Sequence, residues 1–224
     1  MQDTTIRNKV FPMLVWLIVL MTIGAYTVSK ALAGVFGVTA QSIAASILLN
    51  PIGLIGTLAV YFIFFLLAYF TARIKIVNVI TASLFALIMG VGIFGSVFFV
   101  ADAINAQIIP EALILTSGVF VLAMLFQWFT RKDLSHWSWW LFFLLLVALG
   151  LTIAEIFVQA SWFRIAVDLG VVLLFILFVM FDTHRIREEL PDEDWMLGVI
   201  NFFLDIANIL IRIIALLIEI YAQQ

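Results

Sequence analysis

Two aspartates, Asp182 and Asp205, stand out in the stretch FDTHRIREELPDEDWMLGVINFFLDIAN, which runs from Phe181 to Asn208. Each lies in an apolar segment, and the acidic patch EELPDED separates the two. Their midpoint falls near Trp195, just past Leu190-Pro191, where a helical hairpin would turn. At ~1.5 Å of rise per residue the two carboxylates would then lie within about one turn of the same height, and so could meet. Two carboxylates at close range in a low dielectric cannot both ionise cheaply. Such a pair should share a proton or recruit a cation. Arg73, Lys75 and Arg212 are the candidate counter-charges. The plainer alternative makes Asp182 an interfacial helix-end residue and leaves Asp205 to be satisfied by Asn208 or Arg212.

Further polar residues accompany the pair. Asn201, Asp205, Asn208, Arg212, Glu219 and Gln223 are spaced 4, 3, 4, 7 and 4 apart. At ~100° per residue they occupy a sector of roughly 60° on one helix face. The other faces read Phe, Leu, Ile and Ala. A charge turned toward lipid costs several kcal/mol, so the stripe must face protein or water. The helix that carries it is expected to sit centrally, lining a path or a buried network. Arg164, Asp168 and Asp182, spaced 4 and 14, fall on nearly one face of the preceding segment.

The elements that must position these groups are membrane helices. The chain has 224 residues, 66% hydrophobic and 11% charged, whereas soluble domains carry roughly 25% charged residues. Its apolar runs are continuous and show no period-2 alternation, which excludes a β-barrel. Seven spans are predicted, at about 11–33, 54–72, 78–101, 110–129, 138–158, 162–187 and 196–222. They make an all-α bundle and a single transmembrane domain over residues 1–224. The breaks are expected at Gly34 to Gly53, which contains Asn50-Pro51, and at Leu190-Pro191. Gly90, Gly92 and Gly95 in the third span suit close helix approach. The apolar run after Arg7 and Lys9 is too long for a signal peptide and reads as a retained first helix.

Eight basic residues (Arg7, Lys9, Arg73, Lys75, Arg131, Lys132, Arg185 and Arg187) fall at one side of the predicted spans, against Lys30 and Arg164 at the other. The positive-inside rule therefore puts the N-terminus in the cytoplasm and, after seven spans, the C-terminus outside. Trp137, Trp139, Trp140, Trp162 and Trp195 fall at the interfaces, as an aromatic belt requires.

Several chemistries are excluded. There is no cysteine, hence no disulfide and no thiolate ligand. His136 and His184 both lie in connections, so no histidine-based haem or zinc site forms within the membrane. Ser117 beside Gly118 has no intramembrane histidine to serve as its base, and no lysine lies in the seventh span to hold retinal. A net charge of −3 without a basic block gives nucleic acid no purchase. The acidic run Glu188, Glu189, Asp192, Glu193 and Asp194 reads as a solvated loop, or as a weak mouth that concentrates cations.

VMFDTHRI, the acidic loop and NFFLDIANILIRII together resemble the signature of the transmembrane Bax inhibitor motif family. That signature is an FDT-type end of the sixth helix followed by an aromatic–Leu-Asp-x-x-Asn stretch in the seventh. The resemblance implies a seven-helix bundle around a central last helix. It also implies a pH-sensitive calcium leak channel without enzymatic activity. It places the gating and pH-sensing pair, which also holds calcium transiently, on Asp182 and Asp205. An arginine of the second helix that latches the sixth-helix aspartate falls on Arg73, close to Lys75. A proton added to the pair would free that latch, so acid should favour the open arrangement. Calcium is then the transported species rather than a resident cofactor, and the lipid bilayer and calcium ions are the partners implied. The lack of cysteine and of long tails resembles a prokaryotic member, hence the plasma membrane. Two other classes stand beside the channel. One is a regulatory membrane protein without transport. The other is an intramembrane aspartyl protease, against which stands the absence of Gly-x-Gly-Asp and Pro-Ala-Leu elements.

Overall fold

The computed structural model describes residues 3–36, 51–155, 157–158 and 160–223. Among them the chain is helical and contains no strand. A short helical start, Asp3–Thr5, and a π turn, Ile6–Val10, lead into α1 (Phe11–Phe36). Helix α2 follows at Pro51–Phe70, α3 at Val77–Ile104 and α4 at Ile108–Thr130. The chain ends with α5 (Ser138–Glu155), α6 (Ser161–His184) and α7 (Trp195–Tyr221). These bounds fall within a few residues of the apolar runs. The first break differs: Gly34 and Gly53 lie inside α1 and α2, and residues 37–50 of that connection lie outside the described residues. Pro51 opens α2, in the first turn, where its missing N–H removes no helical hydrogen bond.

Five helical stretches among the described residues are long and apolar enough to cross a membrane. They are Ile6–Lys30, Val77–Ile104, Ile108–Thr130, Ser135–Glu155 and Ser161–Glu189. In α2 the apolar stretch described is Ala59–Phe70. The exposed surface of these helices is Val, Leu, Ile, Phe and Trp, which only hydrocarbon can solvate at low cost.

Contacts divide the chain into two compact units. The first comprises Thr4–Ala103 and Asp192–Ile200. In it α1 packs on α3 around Gly24 and Gly90. A Cβ at Gly90 would overlap the Met21 backbone, so this crossing requires glycine. A π turn, Gly90–Phe94, interrupts α3 at the same place. Leu17, Met21, Phe94 and Phe98 are fully buried there. Trp16 Nε1 donates to Ser83 Oγ at 3.0 Å, and Lys30 pairs with Asp102 at 3.1 Å.

The second unit comprises Met1–Asp3, Ile104–Pro191 and Asn201–Gln224. Here α6 packs against both α4 and α5. Leu134, Leu141, Leu174 and Phe181 form one cluster, and Phe120 meets Phe202 edge-on at 5.3 Å between centroids. Helix α5 is peripheral, burying only Leu141. Helix α7 is the reverse: from Asp194 to Glu219 no residue is exposed. A helix with so little exposed surface can carry a polar stripe only if neighbouring side chains satisfy it.

Candidate functional site: a buried aspartate pair

The turn between α6 and α7 forms the hairpin that the two aspartates require. Helix α6 loosens into a π turn, Arg185–Glu189, and Leu190 turns extended while its N–H still reaches Arg185 O at 2.9 Å. Pro191 then ends the helical run, and a short 3-10 turn, Asp192–Asp194, leads into α7. With this turn Asp182 and Asp205, 5% and 3% exposed, are buried close enough for their carboxyls to act on one another. Asn201 Nδ2 donates to Asp182 Oδ1 at 3.2 Å. Asp205 Oδ2 receives no donor from any described group. The cation whose charge reaches Asp182 is Arg185, one turn further along.

Two buried carboxyls so placed hold together only if something positive lies between them. A proton shared by the two oxygens does this, and a metal cation can take its place. The pair and the Asn201 amide supply oxygen ligands of the kind calcium prefers, but too few for the six to eight of a resident site. Among the described residues no group of three acidic or histidine side chains is placed to hold a metal.

The rest of the stripe is placed as follows. Arg212 Nη1 donates to Asp168 Oδ1 at 2.7 Å and approaches Glu155 Oε2 at 3.4 Å, while Nη2 donates to Thr152 Oγ1. Glu219 accepts from Arg164 Nη2 at 2.9 and 3.1 Å. Asn208 Nδ2 turns back onto its own helix, to Leu204 O at 2.8 Å. Neither Arg212 nor Asn208 thus satisfies Asp205, although Asp182 does lie in the last turn of its helix, as the plainer alternative has it. Asp168 and Arg164, read on one face of α6, do meet α7.

Arg73 does not have the sixth-helix aspartate as its ion-pair partner. It forms a bidentate pair with Asp194, Nε to Oδ1 at 2.6 Å and Nη2 to Oδ2 at 2.8 Å. The Asp194 carboxylate beside it holds the guanidinium pKa above its usual value. Arg73 is largely exposed whereas Asp194 is 4% exposed, so the arginine caps a buried acid at the start of α7. The turn that carries Arg73 is fixed by Asn78, which donates to Ala72 O at 3.1 Å, and by a 2.7 Å contact between Thr71 and Thr81 hydroxyls. It ends at Ile76, whose φ of 70° is unusual for a β-branched residue. Asp194 and Glu155 were missed as partners. Glu155 left a signal, since Thr152 and Glu155 share a face at i, i+3 on a helix otherwise apolar.

Membrane-length helices, a buried polar stripe and a carboxyl pair that needs a proton or cation define a helical integral membrane protein with an ionisable site inside it. The family described as "Inhibitor of apoptosis-promoting Bax1" matches residues 3–221, and the chain belongs to that family. Relatives include Bax inhibitor 1 of Schizosaccharomyces pombe, 29% identical over 114 residues, 50% of this chain and 43% of that one. A Golgi anti-apoptotic protein of vaccinia virus (strain Lister) is 26% identical over 113 residues, 50% of this chain and 48% of its own. An uncharacterized protein of Campylobacter jejuni is 27% identical over 113 residues, 49% of this chain and 47% of its own. The match spans about half the length of each of these relatives.

Proposed function

We propose that this protein is a pH-sensitive calcium leak channel, a seven-helix bundle around α7 in which Asp182 and Asp205 form the gate and the transient ion site. The observation that carries this reading is the pairing of two buried carboxyls with one oxygen, Asp205 Oδ2, left without a donor. A single shared proton closes the pair with a charge-assisted bond. A second proton replaces it with a neutral bond roughly half as strong, so acid favours separation of α6 and α7. Calcium passes by exchanging with the proton at the same oxygens. Arg73 enters as a clasp on Asp194 that fixes the start of α7. Release of an Arg73 latch on Asp182 gains no support from the pairing observed.

The test is calcium flux into liposomes holding the purified protein, followed between about pH 8 and about pH 5. Wild type should leak more in acid, and Asp182→Asn and Asp205→Asn should each flatten the response while still inserting into the membrane. Wild-type flux and titration in both variants would make the pair structural. The viral relative's name, an anti-apoptotic protein, favours a second reading, a regulatory membrane protein without transport. Absence of flux from a folded wild type would select it. An intramembrane aspartyl protease would instead cleave a helical substrate in an Asp205-dependent way.

The reading includes a plasma-membrane location in a prokaryote, with the N-terminus cytoplasmic and the C-terminus outside. Since the sequence has no cysteine, single cysteines placed at Asp3 and Gln224 can be probed with an impermeant thiol reagent. Position 224 should label from outside and position 3 should not. The reverse pattern would overturn the orientation.

A further inference from the structure

One acid in the network around Arg212 is left unmatched. Glu155 ends α5, and its side chain is 15% exposed. Among the described residues, three carboxylates (Glu155, Asp168 and Glu219) face two guanidinium groups there, Arg164 and Arg212. Two of the acids are answered. Asp168 accepts from Arg212 Nη1 at 2.7 Å, and Glu219 accepts from Arg164, Ser161 and Gln223. Glu155 reaches only the edge of Arg212. Its Oε2 lies 3.4 Å from Nη1, and its buried Oε1 receives no donor from any described group. Thr152, one turn earlier on α5, has no proton to give it. The Thr152 hydroxyl accepts from Arg212 Nη2 and donates to Ala148 O at 2.9 Å.

An ionised carboxylate in this place is disfavoured on three counts. It adds the one negative charge that two guanidinium groups leave over. Its sealed oxygen has lost water without gaining a donor, and a buried acid escapes that cost by becoming neutral. It also stands at the C-terminus of a helix, where the macrodipole repels negative charge. A metal ion is not the remedy, since among the described residues no group of three acidic or histidine side chains is placed to hold one. A proton removes all three costs at once. The last carbonyls of a helix lack N–H partners, so α5 itself offers the resulting O–H an acceptor.

We propose that Glu155 binds a proton at neutral pH, at a site separate from the Asp182–Asp205 pair and on a different helix. Asp168 and Glu219 remain the ionised partners of Arg212 and Arg164. The guanidinium pairs then join α6 to α7 at any pH the protein meets. The attachment of α5, the peripheral helix, depends on a proton that the partly exposed side chain can exchange with water.

The test is infrared spectroscopy of the intact protein in nanodiscs at neutral pH, where the carbonyl stretch of a protonated carboxyl is resolved from ionised carboxylates. Glu155→Gln should lose one such signal, and Asp205→Asn should retain the signal that Glu155→Gln lacks. Thermal unfolding supplies a readout free of spectral assignment. Glutamine copies a protonated glutamate in shape and charge, so Tm of Glu155→Gln should stay within about 2 °C of wild type. Asp168→Asn removes a buried ion pair and should fall clearly further. An unchanged carboxyl signal in Glu155→Gln would mean that the acid is ionised. Loss of the same signal in Asp205→Asn would return the proton to the pair. A Glu155→Gln protein that fails to fold, or loses as much Tm as Asp168→Asn, would show an ion pair where the proposal has a proton. Any of these results overturns it. Neither measurement involves calcium, so the proton on Glu155 stands or falls apart from the channel reading.

Discussion

In its first half α7 sets Asp205 against Asp182, with Asn201 the one other side chain among the described residues that hydrogen-bonds to the pair. Toward its end the same helix sets Arg212 among Asp168, Glu155 and Thr152, and Glu219 against Arg164. Both halves bury carboxylates against α6, yet one answers them with guanidinium groups and the other with a second carboxylate. An arginine stays charged at any pH the protein meets, so the end of the helix is pinned. A proton can leave, so the start is not. On the function proposed above, holding falls to one half and switching to the other.

The largest effect should come from breaking the pinned half. Arg212→Met leaves Asp168, 6% exposed, and Glu155 without their cation. Stranding a buried charge in this way costs about 3–5 kcal/mol, and thermal unfolding in detergent should show it as a large drop in Tm. Reconstitution with wild-type stability would mean that the two acids already carry protons, and the contrast between the halves would fall. The switching half should respond the other way. Asp205→Asn removes the need for a shared proton and offers Asp182 an amide donor, so its stability should stay within about 1 kcal/mol of wild type. Only the pH response of calcium flux should go. A collapse of Asp205→Asn comparable to that of Arg212→Met would make the pair structural.

Much of this contrast was legible beforehand, and the reason is periodicity. Continuous apolar runs gave α5 and α7 to within a few residues, and the spacing of Asn201, Asp205 and Arg212 put them on one face that the structure turns toward α6. Periodicity carries register only while a helix continues. It stops at Pro191, and past it the acids of the connecting run are alike in type. Nothing in the sequence separates Asp194, which is buried, from Glu193, which is exposed. The pairing of Arg73 with Asp194 is therefore not legible in the sequence, although Arg73 itself is. Arg212 was weighed as a counter-charge to Asp205 because both share a helix face; its partners lie on α5 and α6, where helix spacing on α7 has no say. The π turn at Gly90–Phe94 was illegible for a related reason, since its glycines suit close packing and a helical defect equally well.

Arg73→Ala tests whether the start of α7 needs a clasp of its own. It removes both hydrogen bonds to Asp194 and leaves that acid, 4% exposed, to water alone. Because Arg73 itself is mostly solvated, the drop in Tm should be clearly smaller than for Arg212→Met. A clasp further predicts faster amide hydrogen exchange confined to the first turns of α7, with the Arg212 end unaffected. Uniform exchange along the helix would remove Arg73 from any gating role.

The smallest effect concerns Asp133, a carboxylate outside the membrane that serves as the control for both halves. It is mostly exposed, and its Oδ1 accepts from the hydroxyl of Ser135 at 2.7 Å and from the backbone N–H at 2.9 Å. These bonds favour the ionised form, and His184 and His136 add attraction when protonated, so the folded pKa lies below the usual value. A lowered folded pKa places its stabilisation above the unfolded value of about 3.9 and removes it as pH falls through the folded one. Asp133→Asn, which keeps an acceptor for Ser135 without the charge, should therefore be slightly less stable than wild type at neutral pH. The gap should close as acid protonates the wild type. Unfolding midpoints of the two proteins, compared from about pH 7 to about pH 3, give the measurement. A gap that persisted unchanged in acid would assign the stabilisation to the geometry of the Ser135 turn. Charge would then matter only where, as at Asp205 and Asp168, water is kept out.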